Sequence, residues 1–217
     1  MANESLSPVW YERRLDQDWG LALSEGSRFF EEKSAVQDTL RKIARRLEEI
    51  GVSYAIAGGM ALFKHGFRRF TEDVDILVTR EGLQLIHQKL DGLGYLPPFE
   101  KSKNLRDTEH GVKIEFLITG EFPGDGKPKP VAFPDPAGVS IEIEGIKYLS
   151  IPALVELKIS SGLTGGVARL KDFADVVALI QTLDLPKDFG HHLNPYTREK
   201  YAELWTGLHE GPNNPES

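Results

Sequence analysis

From residue 34 onward the apolar positions switch between two rhythms. Val36, Leu40, Ile43, Leu47 and Ile50 recur at helical spacing behind Ser34, a favourable N-cap, and the run stops at Gly51, so a covering helix is predicted. Arg41, Lys42, Arg45 and Arg46 fall on its other face and read as a solvated surface. The continuous run VSYAIA (52–57) reads as a buried strand that turns at Gly58-Gly59 into a short helix, 60–65, closed by Gly66. VDILV (74–78) reads as a second buried strand, followed by a helix through Leu83, Leu85, Ile86, Leu90 and Leu93 that ends at Gly94. VKIEFLI (112–118) alternates as a third strand, and 120–138 is a Gly/Pro-rich loop. The segments 141–143 and 146–148 flank Glu144-Gly145 as a short hairpin.

After Ser150 the grammar becomes helical. One helix, with Pro152 in its first turn, runs through Leu154, Leu157 and Lys158 to a stop near Gly162. A second covers about 168–183 with Leu170, Phe173, Val177 and Ile180 facing inward, and a third covers 196–209. Before residue 34, Trp10, Tyr11, Trp19, Phe29 and Phe30 are mixed with charges at weak periodicity, which reads as short helix and loop. The expected class is α+β: a small mixed sheet with packed helices, followed by a helical C-terminal part. The expected divisions are an N-terminal extension (1–33), a core (34–149), the helical part (150–209) and a disordered tail (210–217).

Composition narrows the chemistry. The 217 residues include no cysteine, so a catalytic thiol, a disulfide and a thiolate metal site are excluded and any metal must be held by oxygen or imidazole. No apolar run is long enough to span a bilayer and Met1 to Arg14 lacks a secretory pattern, so no membrane partner and a cytoplasmic location are expected. The net charge of −7 argues against an extended non-specific nucleic-acid surface while leaving room for a local basic patch.

Side chains alternate along a strand, so Asp73 and Asp75 must project to one side at the start of VDILV. Two converging carboxylates raise each other's pKa unless a cation lies between them. Mg2+ or Mn2+ suits such oxygen ligands and keeps positions open for substrate phosphates. Glu115, a charge inside an apolar strand, is the natural third member, with Lys113 on its face. Gly58 and Gly59, on a strand-to-helix turn, would present bare backbone amides to a triphosphate. Arg69 and Thr71, with Arg68, precede the acidic strand and could add phosphate donors.

GGMALFKHGFRRFTEDVDILV resembles the signature of the DNA polymerase beta-like nucleotidyltransferase superfamily: a Gly-Gly turn, a D-x-D pair on the next strand, and a third acid on a later one. Here these fall on Gly58 and Gly59, Asp73 and Asp75, and Glu115; the last departs from the more usual Asp. LVELKISSG and RLKDFADVVAL are similar to later motifs of abortive-infection toxin nucleotidyltransferases. By that resemblance Lys158 neutralises the triphosphate, Asp172 orients the lysine or contacts the nucleotide, and Asp175, one turn on, shares the role. The resemblance spans about 51–182. It implies transfer of a nucleoside monophosphate from an NTP such as ATP, with Glu115 binding a second metal or serving as base. The acceptor is RNA, tRNA in particular, or a small molecule such as an antibiotic. An antitoxin partner and a non-catalytic nucleotide-binding or partner-binding protein of the same fold are the further possibilities. His65, His110, His191 and His192 lack metal-ligand spacing, and Phe99, Phe122 and Phe133 sit in loops where they could stack on a base.

Overall fold

A computed structural model describes residues 10–210; most of the expected tail lies outside them. Seven strands form one mixed sheet: β1 (Tyr54–Ile56), β2 (Asp73–Val78), β3 (Tyr95–Leu96), β4 (Leu105–Asp107), β5 (Lys113–Ile118), β6 (Ser140–Ile143) and β7 (Ile146–Leu149), in the spatial order β3-β4-β5-β2-β1-β7-β6. At its centre β2 runs antiparallel to β1 and parallel to β5, and β1 pairs in parallel with β7. The class is α+β, as the two rhythms predict.

Nine α-helices accompany the sheet among the described residues: α1 (Tyr11–Gln17), α2 (Trp19–Phe30), α3 (Ala35–Glu49), α4 (Gly58–Lys64), α5 (Arg80–Leu90), α6 (Pro136–Val139), α7 (Ile151–Thr164), α8 (Leu170–Leu183) and α9 (Pro195–His209). Ser34 and Gln37 close a capping box on α3, and its buried Val36, Leu40, Ile43 and Leu47 are the predicted stripe. The apolar core is continuous from the strands through Leu154, Val155 and Ile159 of α7 to Val176, Leu179 and Ile180 of α8.

Five expectations are corrected. The described part of the region before residue 34 forms helices of seven and twelve residues, with less loop than the weak periodicity predicts. Its inward positions, Tyr11, Leu15, Glu25 and Phe29, include an acid, which hides the stripe; Tyr11 Oη donates to Glu25 Oε2 at 3.0 Å. Helix α5 ends at Leu90 instead of Gly94, and Leu93 is exposed in the turn that follows. Strands β3 and β4 were missed, being two and three residues long, too short for a period to register. Helix α7 passes through Gly162 to Thr164. A β-carbon on Gly162 would stand 2.6 Å from Phe173 Cε1, so this glycine lets α7 and α8 approach rather than stopping the helix.

The fifth correction concerns α8. It begins at Leu170 after a 3-10 turn, Gly166–Arg169, and turns Asp172, Asp175, Val176, Leu179 and Ile180 inward; Leu170 is exposed and Val177 only half-buried. Two aspartates occupy positions that an apolar stripe would be expected to fill.

Candidate active site

The acidic face follows from strand register. Asp75 stands opposite Glu115 and Asp73 opposite Lys113 across the parallel β2–β5 pair, so all four side chains share one face. The intervening Val74, Ile76, Ile114 and Phe116 are buried on the other face. Carboxylate oxygens of Asp73, Asp75 and Glu115 lie within 4.8 Å of one another. Thr71 Oγ1 donates to Asp73 Oδ1 at 2.7 Å, and Lys113 Nζ contacts Glu115 Oε1.

Beside this face the chain leaves β1 and turns into α4. The Ala57 amide donates to the Asp75 carbonyl at 2.8 Å, which ties the turn to β2. Gly58 adopts φ +55°, and a β-carbon there would lie 1.8 Å from Asp75 Oδ2. On Gly59 it would lie 2.7 Å from Thr71 Cβ. Both glycines are therefore required by close approach of the acidic strand and its lead-in. Helix α4 has only seven residues, so the turn offers bare amides more than a long dipole.

Opposite stands a charged cluster carried by α7 and α8. Buried Lys158 Nζ donates to Asp172 Oδ1 at 3.1 Å and to Asp175 Oδ2 at 2.6 Å. Ser161 Oγ donates to Asp172 Oδ2 at 2.8 Å. Arg69 donates to Asp175 through Nε at 2.9 Å and Nη2 at 3.2 Å.

Both sides face one cavity of about 380 Å3, lined by Gly58, Gly59, Arg69, Thr71, Asp73, Asp75, Glu115, Lys158 and Asp172. Asp175 does not line it and stands behind Lys158. Arg69 lines it with its fork turned to Asp175, so the residue expected to contact phosphate is spent on an ion pair. Arg68 lies over the Phe63 ring at 5.4 Å. Beyond Glu115 the cleft continues into an adjoining cavity of about 540 Å3.

Asp75 carries the strongest electrostatic signature here. Burial, then the charges of Asp73 and Glu115, push its carboxyl from 3.8 up to about 7. Glu72, also on the cavity wall, is raised by burial and by Asp16, Glu12 and Asp73. Such a set of convergent carboxylate oxygens could hold a hard divalent cation.

Among the described residues a second group brings Asp107, Glu109 and His110 together, contrary to the expectation that His110 has no partner. Asp107 is already committed: Oδ1 accepts from Lys42 Nζ at 2.5 Å and Oδ2 from the His110 amide at 2.8 Å. Sequence reasoning missed Ser161, Glu72 and the wall residue Gly124, whereas Phe133, named as a loop aromatic, does line the wall. Ser161, three residues after Lys158 on one helix face, was findable by spacing; a residue from the irregular loop was not.

No protein-family model matches the sequence, and no curated protein matches it significantly. Among solved structures, ANT(2'')-Ia in complex with adenylyl-2''-tobramycin is similar over 80% of this chain and 96% of that one, at 14% identity and a TM-score of 0.49. An antigenic nucleotidyltransferase-like protein from Paracoccidioides brasiliensis is similar over 78% of this chain and 85% of that one, at 17% identity and a TM-score of 0.47. Matches this distant decide nothing about chemistry, which rests on the side chains described above.

Proposed function

We propose that this chain is a metal-dependent nucleotidyltransferase that moves a nucleoside monophosphate from an NTP to an acceptor hydroxyl, of an RNA or of a small molecule. One observation carries the reading: three carboxylates from two parallel strands converge beside a Gly-Gly turn in a single cavity whose far wall holds a buried lysine. An arrangement of three close acids opposes its own ionisation, and a divalent cation is the chemistry that relieves it.

Asp73 and Asp75 would hold Mg2+ or Mn2+, which when bound neutralises charge on the triphosphate and polarises the α-phosphorus. Gly58 and Gly59 would seat the β- and γ-phosphates through their backbone amides. Lys158, aimed by Asp172 and Asp175, offsets charge that develops on the departing pyrophosphate. Thr71 holds Asp73 in place, and Arg69 acts through Asp175. Glu115 faces both cavities and takes the proton of the attacking hydroxyl.

The test is incubation with each α-labelled NTP and Mg2+ in the presence of total RNA or an aminoglycoside panel. Label should appear in one acceptor class, and Asp73→Ala should remove it. Transfer that persists in Asp73→Ala would remove the mechanism, and NTP binding without transfer to any acceptor would favour a nucleotide-binding role.

A further inference from the structure

Glu115, Phe133 and Arg169 line both cavities, and the adjoining one adds Lys103, Glu121 and Phe122. Its size is that of a small-molecule site. The charges on its walls are unevenly matched. Glu115 contacts Lys113, and Glu121 lies 3.3 Å from Lys103 Nζ and 3.6 Å from Arg80 Nη2. Glu121 is thus answered by two cations, and Glu115 shares its charge between Lys113 and the acidic face of the transfer site. Arg169, exposed on the turn before α8, has no hydrogen-bond or ion-pair partner among the described residues. A polycationic acceptor would find no acid here without a cation beside it, and an anion would find an unspent guanidinium beside two phenylalanine rings.

We propose that this adjoining cavity is the acceptor site, and that the acceptor is a hydroxyl compound carrying a phosphate that Arg169 holds, with its apolar or ring portion against Phe122 and Phe133. The proposal rests on the transferase reading. Arg169 and Glu115 on the shared wall set the acceptor between its anchor and the reaction. The acceptor oxygen bonds to the α-phosphorus as the bond to the bridging oxygen of the β-phosphate breaks. The electron pair leaves with pyrophosphate, and the hydroxyl proton passes to the Glu115 carboxylate.

The full-length protein with Mg2+ and each α-labelled NTP is offered four acceptors: cytidine monophosphate, cytidine, a short oligoribonucleotide with a free terminal hydroxyl, and an aminoglycoside. A phosphorylated acceptor should be used at least about tenfold better than cytidine, and Arg169→Gln should erase that preference by raising the acceptor KM while the NTP KM moves far less. Preference for the oligoribonucleotide over cytidine monophosphate assigns the phosphate to a chain end, and the reverse assigns it to a free nucleotide. Label on the aminoglycoside, equal use of cytidine and its monophosphate, or an Arg169→Gln enzyme with unchanged acceptor KM overturns the proposal. A thermal shift with NTP and Mn2+ separates the two levels. A shift without label on any phosphorylated acceptor sinks the acceptor assignment alone, and no shift sinks the transferase reading with it.

Discussion

Replacing Asp75 with Asn should stabilise the metal-free protein while ending its response to metal. The carboxyl ionises near 3.8 when unfolded and near 7 in the folded cleft. An acid raised by folding leaves stability untouched below about pH 4, turns against the fold as pH climbs toward 7, and holds a constant penalty above it. The gap between the two values corresponds to about 4 kcal/mol in full. Because the group borders an open cleft where water and neighbours adjust, roughly half, about 2 kcal/mol, is the working figure. For a chain of this size that is a rise of roughly 4 to 8 °C in Tm near pH 8. Thermal melts in EDTA of parent and Asp75→Asn near pH 5 and pH 8 check it. The advantage of the variant should be smaller at pH 5 than at pH 8 and should vanish as pH falls below about 4, and added Mn2+ should raise the parent's Tm alone. A variant that melts no higher than the parent at pH 8, or an advantage that ignores pH, would refute the reasoning.

Other outcomes follow from contacts of single atoms. Gly58→Ala forces a β-carbon onto the Asp75 carboxylate at a positive φ; backbone strain of about 1–2 kcal/mol and a Mn2+ affinity lower by at least about tenfold are expected in calorimetric titration. Lys158→Ala leaves Asp172 and Asp175 buried with too few cations and should cost about 3–5 kcal/mol in urea unfolding. Adding Asp172→Asn should return part of that loss, and a double variant no more stable than the single one counts against the cluster. Gly162→Ala drives a methyl into Phe173 and should cost about 1–3 kcal/mol, with Phe173→Leu in the same background giving relief.

The central strands, the glycine turn and the acidic pair were legible because their signals are local: period, punctuation and alternation over five or six residues. Glu115 was readable for a related reason, a charge in an apolar strand, although its position opposite Asp75 is a matter of register that no single strand announces. The inward face of α8 was misread because Asp172 and Asp175 look like solvent residues until Lys158 and Arg69 arrive from other elements. Tertiary pairing outweighed the hydrophobic pattern there. For the same reason Arg69 reads as a phosphate donor in sequence and as a partner of Asp175 in space. The walls supplied by the 120–138 loop have no periodicity to read at all.

The clasp around Lys158 sets how much that side chain can say to a visitor. Its ammonium has three protons, and two already point at Asp172 and Asp175. With Arg69 included, cations and anions in the cluster balance, so an incoming anion would meet one remaining N–H instead of an unscreened charge. Recognition on that wall becomes directional: a phosphate oxygen one bond-length out of line finds a group that is electrically quiet.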